Sequence, residues 1–452
     1  GIDRRISLFG DETHWWVFND KGNIHTETNG DPIGMEIRAQ AFAFATNDEV
    51  NRMTFYNYEL INRGTQTLYN TYFSQYLDAD IGNFTDDYVG CDVSRGLGYA
   101  LNGDLIDQSD GGKPGYGENP PAIGCDFFEG PYQDADELDN PGPYFNEETG
   151  QMVVPSVTDA LANNGIVYKG VGIGYSDSII DNERFGMRRF TYYTSTSAPP
   201  YSDPANAAEY YNFMQGNWSN GSDMYYGGLG YTGSTGASTV LSDYMFPGLS
   251  DPLNWATGGV DMSSAYPDGW FESTNNNPPA DRRFVQSAGP FTLRPGAINN
   301  ITVGIVFGRS TDGDLYASVE AMKQADTKAQ ALFDACFKIL SPPDAPRLTI
   351  QELENELILT IDNPSSSNNF EEAYEELDEI NIADPTVDRY YRFEGYQIYQ
   401  LKDVETSVAD ISDPEKARLV AQCDIENDID RIINFDFDEA LGFSIPVEMV
   451  DG

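Results

Sequence analysis

Apolar and polar positions alternate from Gly34 to Ala45, where Ile37, Ala39, Ala41 and Ala43 oppose Glu36, Arg38, Gln40 and Phe42. A period of two puts successive side chains on opposite faces of an extended chain, so this segment predicts a half-buried β-strand. The run HWWVFND (14–20) and the following KGN predict a strand and a turn. Two β-rich runs flanking NRGTQ, within residues 52–77, predict a hairpin. FTLRPGAINNITVGIVFGRS (291–310) returns to strands. Helical periodicity is scarce. DPANAAEYYNFMQGNW (203–218) predicts a helix with Asp203 as N-cap and Pro204 in its first turn. Residues 314–340 predict a second helix, with Val319, Met322, Ala325, Ala329, Leu332, Phe333, Cys336 and Ile339 on one apolar face. Cys336 is therefore expected in the core.

Between these elements lie long stretches dense in Asp, Gly and Pro, above all residues 78–165. Loops of that length inside a compact domain are usually functional or held by a ligand. SPPDAPRL (341–348) reads as a boundary, and strands are expected again in 356–364, 392–403 and 416–427. This last segment resembles the start of a fibronectin type III module. About seven strands make such a module. The later ones are expected beyond Gly452 or from another chain, since an open sandwich exposes unpaired edges. The fold class expected is mainly β. Residues 1–340 form a large, elaborated β-sandwich with long loops and few helices, including one near 317–340. Residues 341–452 form an incomplete fibronectin type III-like β-sandwich. No internal repeat of fixed period is present.

Composition sharpens this picture. The 452 residues carry 73 acidic against 26 basic side chains, a formal net charge of −47. Such a surface repels nucleic acid and anionic lipid, and attracts divalent cations or basic partners. It is also what solubility in a salty or extracellular setting requires. No stretch reaches about 18 consecutive apolar residues, so no membrane-spanning helix is expected. The opening GIDRRISLFG and the closing PVEMVDG read as a piece of a longer protein. Four cysteines fit no zinc spacing and allow three pairings. Cys91 with Cys125 is the simplest disulfide, because both fall in one loop-rich region. Free buried thiols are the alternative.

The densest candidate chemistry is DADIGNFTDDYVGCD (78–92). Asp78, Asp80, Asn83, Asp86, Asp87 and Asp92 there offer the oxygen ligands that calcium takes. An EF-hand is excluded, because Gly82 and Val89 stand where ligands belong. A second oxygen-rich set is Asn102, Asp104, Asp107 and Asp110. Outward-pointing, salt-screened carboxylates are the plainer alternative for both. His14 and His25 each stand near acidic residues but lack a zinc motif, so structural roles are expected. There is no G-x-S-x-G elbow and no P-loop. GLGYTG (228–233) matches a dinucleotide fingerprint by letters, without its strand and helix. Trp218, Trp255 and Trp270, near Gly-rich loops, either stack on sugar rings or fill the core.

Several long phrases carry a resemblance: WWVFNDKGNIHTET (15–28), residues 58–92, ENPPAIGCDFFEGP (118–131), residues 174–193, MFPGLSDPLNW (245–255), residues 281–299, residues 326–340 and YRFEGYQIYQL (391–401). Together they resemble a family of large secreted or cell-surface proteins of Bacteroidota, exported by the type IX secretion system. The resemblance implies an extracellular or outer-surface location and brings no catalytic residues with it. The expectation is a non-enzymatic structural or adhesive protein with calcium-stabilised loops. Its expected partners are other surface proteins, glycans or copies of itself. The alternative is a carbohydrate-binding module of a larger degradative protein.

Overall fold

The computed structural model describes residues 8–46, 49–141, 144–146, 151–153, 172–195, 200–337, 341–377, 389–406, 411, 413–425, 427, 431–438 and 443–450. The protein is mainly β, and divides into two compact units, Gly1–Ala329 and Gln330–Gly452. The division falls inside a helix rather than at the Pro-rich segment expected to mark it.

The first unit is built on two facing sheets. Its strands are β1 (Glu12–Asn19), β2 (Met35–Ala43), β3 (Met53–Asn62), β4 (Leu68–Leu77), β5 (Asp87–Asp92), β6 (Leu97–Asn102), the two-residue pair β7 (Ile106–Asp107) and β8 (Gly117–Glu118), and β9 (Ala122–Glu129). After the short strands β10 (Tyr144–Asn146), β11 (Gln151–Val153), β12 (Gly172–Ile173) and β13 (Arg184–Phe185) comes β14 (Arg189–Thr194). The small hairpin β15 (Tyr225–Gly227) and β16 (Ala237–Leu241) precedes β17 (Arg282–Leu293) and β18 (Ile298–Gly308). One sheet has seven antiparallel strands in the order β1-β2-β3-β18-β9-β6-β5, and the other three, β14-β17-β4. Ring contacts close the space between them: Phe73 on β4 lies 5.5 Å from Tyr58 and 6.0 Å from Phe127. At Gly98 the sheets approach so closely that a Cβ would lie 2.4 Å from Gln286 Oε1 and 2.7 Å from the Phe190 ring.

Residues 52–77 hold the two predicted strands but not the predicted hairpin. β3 pairs with β2 and β18, whereas β4 crosses to the other sheet and pairs with β17. The buried Asn62 makes this crossing possible. Its Nδ2 donates to Gln66 O and Leu293 O, both at 2.8 Å, and its Oδ1 accepts from Gly64 N at 2.9 Å. Asn62 also exchanges backbone bonds with Gly296 and Ala297, where β17 crosses to β18. Two adjacent crossings are thus tied by one side chain.

Helices cover the outer faces of both sheets. α1 (Ala207–Met214) lies on the three-stranded sheet, with Tyr211 against Tyr72 and Phe213 against Tyr193. Its N-cap is Asn206, whose side chain accepts from Ala208 N and Glu209 N. Glu209 reaches back to Ala205 N at 2.7 Å, a reciprocal arrangement that outcompetes the expected Asp203 cap. Asp203 instead lies 3.6 Å from Arg283. α2 (Ala317–Asp334) lies on the seven-stranded sheet, where Gly124 and Gly308 make room for Met322. Val319, Met322, Ala325, Ala329 and Leu332 are fully buried as the periodicity predicts. Cys336 is a correction: it stands past the helix end at φ +54°, exposed. Ile339 lies outside the described residues. Phe42, expected on the polar face of β2, packs with Phe55 at 5.4 Å in this outer layer.

The second unit contains β19 (Arg347–Glu352), β20 (Leu357–Asp362), β21 (Glu375–Leu377), β22 (Tyr390–Arg392), β23 (Gly395–Leu401), β24 (Ala417–Asp424), β25 (Arg431–Asp438) and β26 (Phe443–Val450), paired in sequence as antiparallel twos. The strands read from the sequence fall on β20, β23 and β24. β25 and β26 occupy a stretch for which no strand was expected.

Candidate metal centre

Pairing in the sheet rearranges the acidic loop. Asp87 opens β5 and Asn102 closes β6, and the two stand opposite each other in the ladder. The preceding loop folds back over them, with Ile81 N donating to Asp87 Oδ2 at 3.0 Å. Asp107 joins from β7, accepting Asn83 N at 3.1 Å and Tyr116 N at 2.6 Å. The loop passes so near that a Cβ on Gly82, at φ +62°, would lie 1.9 Å from Asp107 Oδ2. Only glycine fits there without strain. Asp86 is held by its own carbonyl, which accepts Gly103 N at 2.7 Å.

Three oxygens in this group have no hydrogen-bond partner although they are buried: Asp86 Oδ1, Asp87 Oδ1 and Asn102 Oδ1. The Asn102 amide nitrogen is turned to Asp104, donating to its carbonyl at 3.0 Å, so the free atom is an acceptor. Buried acceptors without donors cost about 1–3 kcal/mol each. Burial and the neighbouring carboxylates Asp86, Asp107 and Asp80 push the Asp87 carboxyl up to about 9, against a bond from Ile81 N that favours the charge. Burial, then Asp107 and Asp104, also raise Asp86. Lys113, seated 4.5 Å from the Phe84 ring centre, acts on Asp86 in the opposite direction. The donor set is oxygen only, as hard divalent cations require, and calcium takes six to eight such ligands. Water would answer the missing donors, whereas a cation would also answer the charge.

The two sets expected from sequence are therefore one site in part. Asn102 faces Asp87 in the ladder, and Asp86, Asp87, Asp104 and Asp107 are near enough to raise one another, although among the described residues only Asp78, Asp80 and Asp281 bring three carboxylate oxygens within 4.8 Å. The Asn83 side chain is occupied by Thr85 Oγ1 at 2.9 Å. Asp110 stands apart in a turn, paired through its backbone with Lys113. Asp92 is no ligand of this group: it lies 3.1 Å from Lys323 and 2.6 Å from Ser94 Oγ. Asp78 and Asp80 gather instead with Asp281, their ligand atoms within 4.8 Å of one another. Arg283 already serves that cluster, 3.0 Å from Asp78 and 2.8 Å from Asp281.

The structure also decides the remaining alternatives. Trp218, Trp255 and Trp270 are at most 6% exposed, so none presents a face to a sugar. Trp218 and Trp270 donate from their indoles to Gly230 O and Gly228 O, anchoring the glycine-rich loop from beneath. Cys91 and Cys125 are free thiols. Both face Gly98, one strand away on either side, which places their Cα atoms about 9–10 Å apart, beyond disulfide reach. His25 is satisfied within the structure as expected, holding Gly30 O and Asp20 O, whereas His14 is exposed and meets the nearby Glu12 at the surface.

Sequence reasoning missed a second acidic pair. Asp126 on β9 and Asp326 on α2 are both buried and act on each other electrostatically, and Arg95 lies 3.2 Å from Asp326. Burial raises both carboxyls. Asp326 rises to about 6, with Arg95 opposing, and Asp126 goes well above the usual range. The signal was Asp326 itself, a carboxylate within the apolar stripe formed by Met322, Ala325 and Ala329. No family model matches this chain, and no curated protein matches it significantly.

Proposed function

We propose that this is a non-enzymatic extracellular or cell-surface protein of structural or adhesive type, whose long loops are fastened to a rigid sandwich by calcium. The observation that carries the proposal is the set of unpartnered buried oxygens on Asp86, Asp87 and Asn102. Calcium there would join the loop before β5 to the loop after β6, segments with little regular structure of their own. Millimolar extracellular calcium suits a site of few carboxylates. The sequence resemblance to type IX-exported surface proteins of Bacteroidota, with a fibronectin-like second unit, supports the same compartment.

Contacts with other surface proteins, glycans or copies of itself belong to this reading. In its favour, Leu348, Ile350, Leu357 and Leu359 are exposed and share one face of the β19–β20 ladder. The carbohydrate-module reading loses its proposed platform with the burial of the three tryptophans. A carboxylate hydrolase is not favoured by the Asp126–Asp326 pair, which lies beneath α2 and away from solvent.

Metal analysis of the purified 452-residue chain, with melting recorded in calcium and in chelator, tests the proposal. Bound calcium and a higher melting temperature are expected. Identical melting curves with no metal bound would remove it.

A further inference from the structure

The seven-stranded sheet is wider than the three-stranded sheet it faces. β1 and β2 lie beyond β3, which β4 contacts, and among the described residues no strand covers them where a cavity of about 770 Å³ opens. Ile37, Tyr56, Tyr58, Leu60, Phe73 and Val303 supply its walls. Small-molecule sites span roughly 300–1,000 Å³. An apolar cavity of only about 150 Å³ already stays dry and takes up benzene. Unfilled apolar space of this size would forfeit packing on every wall.

The rim is built rather than loose. Both His25 ring nitrogens meet carbonyl oxygens, Gly30 O at 2.9 Å and Asp20 O at 2.8 Å. The Asp20 carboxylate in turn accepts Gly34 N and Met35 N at 3.0 and 2.9 Å. Loop 20–33 is thereby pinned open beside the cavity mouth.

Three lining residues carry unused polar groups among the described residues: Tyr58, Ser74 through its Oγ and Gln75 through its Nε2. The Tyr58 hydroxyl has no hydrogen-bond partner among the described residues, although the ring contacts Tyr56 and Phe73. Burial holds this phenol up at about 12, so it remains a neutral donor. The neighbouring Gln75 has its Oε1 engaged by Cys125 and Gln286.

We propose that the cavity binds a neutral amphiphile, with an apolar body of lipid or polycyclic size and one oxygen acceptor received by the Tyr58 hydroxyl. Anionic ligands are disfavoured by the exposed Asp31 at the mouth and the net charge of −47. Of the two lining carboxylates, Asp20 is already taken by the backbone N–H groups of Gly34 and Met35, and Asp31 is exposed at the mouth. This site shares no residue with the acidic group at Asp87, so the two proposals stand or fall separately.

Nile red, neutral and polycyclic with a ring carbonyl, is the first probe, and pyrene, which has no polar atom, is the second. Titrated into the full chain, both are expected to bind saturably at one per chain. Ile37→Trp, a half-buried wall position, should weaken both at least tenfold. Tyr58→Phe, which removes only the hydroxyl, should weaken Nile red about three- to tenfold and leave pyrene unchanged. Absence of saturable binding by either probe, or Ile37→Trp binding both like the parent, would overturn the site. Equal effects of Tyr58→Phe on the two probes would overturn the assignment of the acceptor.

Discussion

Asp87 and Asn102 face each other across β5 and β6, and each holds a buried Oδ1 with no donor. Each of these acceptors, and Asp86 Oδ1 in the preceding loop, is left by burial without a donor. A cation turns the same arrangement into a clasp. Asp87→Asn separates these effects. In chelator the variant should be more stable than the parent at pH 8, by about 1–3 kcal/mol, because a buried carboxyl is gone. In calcium it should gain little, and the order should reverse. Urea melts in both conditions decide the point, and a variant that responds to calcium like the parent would exclude Asp87 as a ligand.

The pH dependence follows from the same carboxyl. Its folded value, about 9, lies above its unfolded value near 4. Between those limits the folded state binds the extra proton, so its contribution to stability is whole below pH 4 and declines as pH rises towards 9. In chelator, the slope from Asp87 should approach about 1.4 kcal/mol per pH unit. Saturating calcium should flatten it, since the cation displaces the proton. Melting temperatures from pH 5 to 9, with and without calcium, give the comparison.

Gly82→Ala tests the loop over the site. At φ +62°, with Asp107 Oδ2 in the space a Cβ would fill, alanine must displace the loop. A loss of about 1–3 kcal/mol is expected, together with weaker calcium binding measured by calorimetry. Unchanged affinity would mean that the loop does not shape the site.

Asp126 and Asp326 are buried next to each other beneath α2, and burial raises both carboxyls. Asp126→Asn, which imitates the protonated acid, should fold with near-parental stability at pH 7 and lessen the loss of stability above the Asp326 value of about 6. Asp326→Ala leaves Arg95 without its buried partner and should cost about 2–4 kcal/mol. Chemical denaturation of both variants at pH 6 and 8 distinguishes a shared proton from simple packing.

Glu272 and Arg282 form a fully buried pair at 2.7 Å, and Glu272 also accepts Val89 N at 3.0 Å. Glu272→Ala should destabilise by about 3–5 kcal/mol, because Arg282 remains charged and unpaired. A loss below about 1 kcal/mol would show that water replaces the carboxylate.

Strand identity was legible in the alternation of Ile37, Ala39 and Ala41 and in the β-rich runs of residues 52–77. Pairing was not. A five-residue turn reads alike whether it closes a hairpin or carries the chain to another sheet, and the difference lies in the buried amide of Asn62 and its bond to Leu293, far along the chain. The same limit governs the site. Spacing divided the acidic residues into two groups, whereas the β5–β6 ladder joins Asp87 to Asn102 and sends Asp92 to Lys323. The tryptophans read equally as platforms or as core, and Gly228 and Gly230 decide for the core by accepting two of the indole N–H groups.

The place of β18 in the seven-stranded sheet also bears on how the protein is made. It sits between β3 and β9, yet is contributed by residues 298–308. Until those residues are available, β1–β3 and β5–β6–β9 are two half-sheets with bare central edges, linked by ring contacts such as Phe55 with Phe128 at 5.6 Å but by no strand pairing among the described residues. Synthesis from the N-terminus therefore leaves nearly three hundred residues waiting on one late strand. A nascent chain of this protein needs its open edges shielded over that interval, and truncation before residue 298 should yield an aggregating species rather than a smaller domain.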